Sequence, residues 1–161
     1  AAVNESLTNR KYDGEYVISA KDTKSNFIKG IQEGKFLFYD DGDEVRVLRD
    51  INSFTSFVAE KNSDFSSNRV VRVLDGIAND VARIFGQYYL GKRSNNADGR
   101  NLFKAELIAY HEQLQQIEAI ENFKAEDITV MQGREKQDVV VFEAVQPTDA
   151  MEKLYMQVEV V

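Results

Sequence analysis

The clearest β pattern in the chain lies in residues 139–161. Four consecutive apolar residues at positions 139–142 predict a strand that is buried on both faces. Residues 146–149 include the only proline of the chain and predict a turn. From residue 154 onward apolar and polar residues alternate, which is typical of a strand with one buried face. Together these segments predict a terminal β-hairpin.

Two longer stretches carry the 3.6-residue period of amphipathic helices. In residues 70–88 the apolar positions form one wide stripe, and Gly91 ends the pattern. In the second stretch, which Asp98 is placed to cap, the apolar residues recur at spacings of four and three. The members of that second stripe are Phe103, Leu107, Tyr110, Leu114 and Ile117. We therefore predict two long helices packed together on a sheet, with a further strand at residues 128–131.

The first third of the chain has weaker signals. Residues 22–32 have helical spacing that Gly34 closes, and residues 35–49 predict a β-hairpin around an acidic turn. Residues 15–19 predict a short strand. The whole pattern indicates an α+β fold: an antiparallel sheet with two long packed helices, plus an N-terminal helix and a β-hairpin.

Composition narrows the classes of partner. The chain has 161 residues, 43% of them hydrophobic, which is enough for one core. The net charge of −7 disfavours a nucleic-acid groove, and no apolar run is long enough to insert into a membrane. Because the chain starts at Ala1 rather than at methionine, we expect it to be a piece of a longer chain.

No residue pattern predicts catalytic chemistry. The one histidine, His111, lies off the apolar stripe, so we expect it on the surface. Residues 40–44 lack the spacing of a calcium loop, and without cysteine no thiolate zinc site exists. We expect no catalytic residue, no cofactor and no metal.

The terminal strand allows two interpretations. An edge strand leaves unpaired N–H and C=O groups, and another subunit could cover them. Alternatively the protein is a monomer whose last strand is central, or whose edge is blunted by Lys153 and Glu159. Periodicity alone leaves both open.

Several ordered segments resemble the contractile tail sheath proteins of myophages, defective prophages and tail-like bacteriocins, specifically their C-terminal part. The resemblance spans essentially the whole chain. The segments are residues 68–75, 89–92, 96–100, 126–130 and 144–155. The resemblance divides the chain into residues 1–50, the end of the preceding sheath domain, and residues 51–161, the sheath C-terminal domain ending in an arm strand.

This resemblance implies a non-enzymatic structural subunit. Such subunits polymerise as a helical or ringed homo-oligomer around a tail tube protein, join a baseplate, and contract to drive the tube through a cell envelope. The implied location is the virion tail or a tail-like particle, assembled in the bacterial cytoplasm. Arms of neighbouring subunits would add strands to the sheet.

The resemblance also assigns interface residues. The predicted arm strand comprises Leu154, Tyr155, Met156, Gln157, Val158, Glu159, Val160 and Val161. The predicted receiving edge comprises Val139, Val140, Val141 and Phe142. The candidate tube contact comprises Lys92, Arg93, Arg100 and Lys104, for which ordinary solvation of helix ends and a loop is the alternative. For the protein as a whole the alternatives are a tail or baseplate adaptor or another soluble binding module of the same layout and, more distantly, an acid–base enzyme.

Overall fold

The structure is a computed structural model and describes residues 1–160. Three α-helices and six short strands follow one another along these residues. The helices are α1 (Lys24–Gln32), α2 (Asn68–Ile84) and α3 (Ala97–Gln116). The strands are β1 (Phe38–Asp40), β2 (Val45–Val47), β3 (Ile120–Glu121), β4 (Ile128–Gln132), β5 (Val139–Glu143) and β6 (Gln146–Pro147). The predicted α+β class is confirmed.

The strands form three separate two-stranded antiparallel sheets, which pair β1 with β2, β3 with β6, and β4 with β5. By packing, the chain divides into two compact units. Unit 1 contains residues 1–71 together with the C-terminal segment from Asp149, and unit 2 contains Arg72–Thr148. These units are defined by packing and do not test the predicted domain boundary between residues 50 and 51, which stays a prediction.

In unit 1 the predicted N-terminal helix and hairpin are both present. Thr23 caps α1, because its side chain accepts a hydrogen bond from the Asn26 N–H. The outer edge of β2 is covered by the chain before α1, since the Tyr12 N–H donates to the Val45 carbonyl and the Val47 N–H to the Arg10 carbonyl. Both sides of β2 are therefore paired.

A buried carboxylate, Asp50, holds three separate segments of unit 1 together. Its side chain is 2% exposed and accepts from the Leu7 N–H at 2.9 Å and from the Asn68 side-chain amide at 2.9 Å. Its own N–H donates to the Thr8 hydroxyl, and its carbonyl accepts from the Asn68 N–H. A buried charge is tolerated when such donors surround it, so Asp50 joins the N-terminal segment to the start of α2.

Unit 2 is built around the contact of α3 with the C-terminal end of α2 and with the sheet of β4 and β5. Its core residues are Ile84, Tyr89, Phe103, Leu107 and Ile128. A π-helical turn, Phe85–Tyr89, continues α2 and brings Tyr89 against Phe103, with ring centroids 4.6 Å apart. The N-cap of α3 is Asn96, which accepts from the Gly99 N–H, and Asp98 lies in the first turn instead.

The predicted terminal hairpin is wrong. β5 pairs with β4, which precedes it, rather than with residues 154–161. Residues 146–147, predicted as a turn, pair with β3. Residues 148–160 contain no helix or strand, and Val161 lies outside the described residues. Apolar and polar residues do alternate in this segment, but a strand forms only where a partner supplies its hydrogen bonds.

The predicted strand at residues 15–19 is also wrong. These residues are irregular, and the side chains of Tyr16 and Val17 are exposed. A β-prone sequence without a partner or a core to cover it does not form a strand.

We predict that Asp50→Asn destabilises unit 1 by about 1–3 kcal/mol, the usual cost of leaving a buried polar group unsatisfied. The new amide presents hydrogens toward the Leu7 N–H or the Asn68 amide, which are donors already. Urea unfolding followed by circular dichroism measures the change. Asp43→Asn, in the exposed turn of the hairpin, is the matched control, and equal stabilities of the two variants would contradict the role of Asp50.

Candidate subunit interface

Within residues 1–160 no strand pairs with the outer edge of β5 in the β4–β5 sheet. The register places Thr129 opposite Phe142 and Met131 opposite Val140. The flanking bonds, from the Gly133 N–H to the Asp138 carbonyl and from the Ala144 N–H to the Asp127 carbonyl, lie in the same register. Because hydrogen-bonded pairs recur at every second residue, the backbone groups of the residues in between point away from β4. Those residues are Val139, Val141 and Glu143.

An apolar groove lies beside this strand. One cavity of about 260 Å³ is lined by residues of α2, α3 and β5 and by Phe85, and β4 contributes nothing to it. A second cavity of about 460 Å³ shares Phe85, Phe103 and Val139 with the first and continues to the loop after the π-helical turn. The groove thus combines unpaired backbone groups with apolar walls, the two features that an added strand requires.

The predicted arm is the most exposed apolar segment that the structure describes. Leu154 is 86% exposed, Tyr155 89% and Val160 93%. Met156 and Val158 are exposed as well. Single exposed apolar residues are common, but a contiguous run of this size usually marks a surface that another molecule covers.

The four basic residues proposed for the tube contact are placed differently from one another. Lys92 and Arg93 are exposed, and the Lys92 ammonium donates to the Gln87 carbonyl at 2.5 Å. The Arg100 guanidinium is half-buried and donates to the Asn95 carbonyl at 3.1 Å, so it stabilises the loop before α3. Lys104 is half-buried. The tube contact stays a prediction, with Arg100 assigned a structural role as well.

His111 is buried, and its predicted surface position is wrong. The ring is fully buried, its Nδ1 lies 2.8 Å from the Leu107 carbonyl, and it stacks on Phe123 at 5.1 Å. The sequence did contain the spacing of a buried position, because His111 follows Leu107 by four residues and precedes Leu114 by three. The buried stripe of α3 includes His111, whereas Ile117 at its end is exposed.

A carboxylate from β5 faces this imidazole. Glu143 Oε2 lies 3.6 Å from His111 Nε2, beyond hydrogen-bond distance. Burial raises the pKa of the Glu143 carboxyl above its usual value, and the His111 imidazole counteracts this in part. Since a carbonyl can only accept, Nδ1 of His111 carries a hydrogen.

In residues 1–160 no three metal-binding side chains are grouped closely enough to hold an ion. Over the same residues no helix has the length and apolar character that crossing a bilayer demands.

The described residues thus form α+β structure with an open β5 edge, an apolar groove beside it and an exposed apolar segment. The family model for the phage tail sheath C-terminal domain matches residues 60–161. The chain belongs to this family.

Solved structures and a curated relative agree with this assignment. The sheath tail protein of Desulfitobacterium hafniense has a TM-score of 0.83 and 44% identity over 97% of this chain and 36% of its own. The sheath tail protein of Listeria innocua has a TM-score of 0.81 and 29% identity over 97% of this chain and 38% of its own. The phage-like element PBSX protein XkdK of Bacillus subtilis is 34% identical over 99% of this chain and 36% of its own. This chain therefore spans little more than a third of each of these proteins.

We predict that Glu143→Gln flattens part of the pH dependence of stability. A carboxyl whose pKa is raised by folding stabilises the protein fully below its unfolded pKa, and this contribution is lost as the pH rises through the folded pKa. As the pH rises from about 4 toward neutrality, the parent should therefore lose unfolding free energy that the variant does not lose, so the stability of the variant rises relative to that of the parent. Glu112→Gln, on the exposed face of α3, should show no such trend.

Urea unfolding at a series of pH values measures the difference. A constant difference between Glu143→Gln and the parent across that range would show that Glu143 does not titrate with a raised pKa.

Proposed function

We propose that this chain is the assembly-forming part of a structural subunit of a contractile tail sheath. In this proposal residues 154–161 form an arm that adds as a strand to the β5 edge of a second copy, and the subunits polymerise around a tail tube. The observation that carries the proposal is the coexistence of an open β5 edge beside an apolar groove and an exposed segment with a two-residue apolar period. Membership in the sheath family supports it.

The hydrogen bonds of the proposed joint follow from the register. Val139, Val141 and Glu143 offer backbone groups outward, so an incoming strand bonds to these three residues. The groove of α2, α3 and β5 then receives every second side chain of the arm. Val140 and Phe142 are already paired with β4, so among the four predicted edge residues they contribute side chains rather than hydrogen bonds.

In this proposal contraction is a change in the angle between subunits and needs no catalytic step. A head-to-tail contact between identical subunits generates rings or helices according to its rotation, so a changed angle between rigid bodies changes the helical pitch. Strand-exchanged arms keep the lattice connected while the bodies rotate. We place the sheath in a virion tail or tail-like particle assembled in the bacterial cytoplasm, where it contacts the tube and a baseplate.

We predict that deleting residues 153–161 abolishes assembly and leaves α2 and α3 folded. Residues 153–160 are exposed, and none of them belongs to the buried core. Electron microscopy of the full-length protein measures assembly, and circular dichroism measures folding. Sheaths of normal length from the deletion variant would contradict the arm proposal.

A second prediction tests the receiving edge with two neighbouring residues. Val141→Pro removes an N–H that points away from β4 and leaves the hydrogen bonds between β4 and β5 intact, so the variant should fold and fail to assemble. Phe142→Pro removes an N–H that bonds to β4, so this control should lose stability itself.

Sedimentation velocity and thermal unfolding distinguish the two variants. Normal assembly of Val141→Pro would show that the β5 edge does not receive a strand.

A further inference from the structure

The C-terminal segment is fastened to unit 1 at its root, just before the exposed arm begins. The Arg49 guanidinium donates to Glu152 Oε2 at 2.7 Å, and the Thr8 hydroxyl donates to Glu152 Oε1 at 2.5 Å. The Glu152 side chain is only 11% exposed, in contrast to the exposed residues on both sides of it. Three residues earlier the Ser67 hydroxyl donates to Asp149 at 3.1 Å.

These contacts connect the C-terminal segment to the buried carboxylate Asp50. The Thr8 hydroxyl that donates to Glu152 also accepts from the Asp50 N–H, at 2.9 Å. The Asn68 amide that binds Asp50 follows Ser67, the residue that holds Asp149. Glu152 is therefore bound through Thr8 to the buried Asp50, and Asp149 is bound to the buried Ser67.

We propose that Glu152, held by Arg49 and Thr8, is a latch that prevents the arm from pairing with the β5 edge of its own chain and so reserves both for a second copy. The inference rests on the proposed function for the role of the arm and the edge. It adds the reason why the joint forms between subunits.

The need for such a restraint follows from chain connectivity. An arm and an edge on one chain meet at a local concentration that a separate copy reaches only at high protein concentration. The pairing of an arm with its own edge therefore competes with exchange between copies, as in domain swapping. Self-pairing would require residues 144–153 to act as a loop.

The structure fixes that connection at two places. β6 is paired with β3, and the Thr148 N–H donates to the Ala119 carbonyl. Beyond it Asp149 and Glu152 are held by Ser67, Arg49 and Thr8. When Glu152 is released, the residues between Asp149 and Lys153 join the flexible connection to the arm. A longer connection allows the arm to search a larger volume.

Amide hydrogen exchange tests the latch on the protein at a concentration too low for association. In the parent protein the Val139, Val141 and Glu143 amides should exchange rapidly, because their edge is open. In Glu152→Ala the same amides should slow by roughly tenfold or more, as expected for hydrogen-bonded strand residues. Arg49→Gln should give the same protection in a smaller fraction of molecules, and Glu112→Gln is the matched control.

The outcomes separate the two proposals. Unchanged exchange of these amides in Glu152→Ala and Arg49→Gln would overturn the latch and leave the proposed function intact. Parent protein that neither assembles nor protects these amides at high concentration would overturn the proposed function itself. Thermal unfolding of both variants identifies any loss of the fold, and Arg49→Gln, which retains the Thr8 bond to Glu152, is the milder of the two.

Discussion

The requirement that backbone hydrogen bonds find partners dominates this structure. Every strand here is short, and each of the three sheets contains only two strands. Two-stranded sheets are marginal unless other elements cover them. The β2 edge is covered by the segment before α1, whereas β5 keeps three residues with outward backbone groups beside an apolar groove. In unit 1 the edge of β2 is thus paired, whereas in unit 2 the edge of β5 is open within residues 1–160.

The same requirement explains the arm. Its large apolar side chains are exposed and its backbone has no strand partner within residues 1–160. Burying such a segment on a second copy would gain apolar contact and main-chain hydrogen bonds together, which is how strand addition combines affinity with register.

Buried polar groups hold distant segments of the chain together. Asp50 accepts hydrogen bonds from two segments and relays a third contact through Thr8 to Glu152. In unit 2 the buried His111 Nε2 lies 3.6 Å from Glu143 Oε2, at the end of β5. The hydrogen-bonded network around Asp50 specifies one arrangement of its segments, because alternative arrangements leave a charge buried without a partner. Buried polar groups are also where prediction from sequence failed most clearly.

The sequence by itself determined the elements whose signals are local. The two long helices, α1 and the β1–β2 hairpin follow from periodicity, caps and turn residues, and the alternation in residues 154–160 follows from side-chain spacing. Tertiary structure alone decided which strand pairs with β5 and how Glu152 is held far along the chain from Arg49. The physical reason is that periodicity reports which face of an element is apolar, whereas a partner for a strand or a buried charge comes from residues distant in sequence.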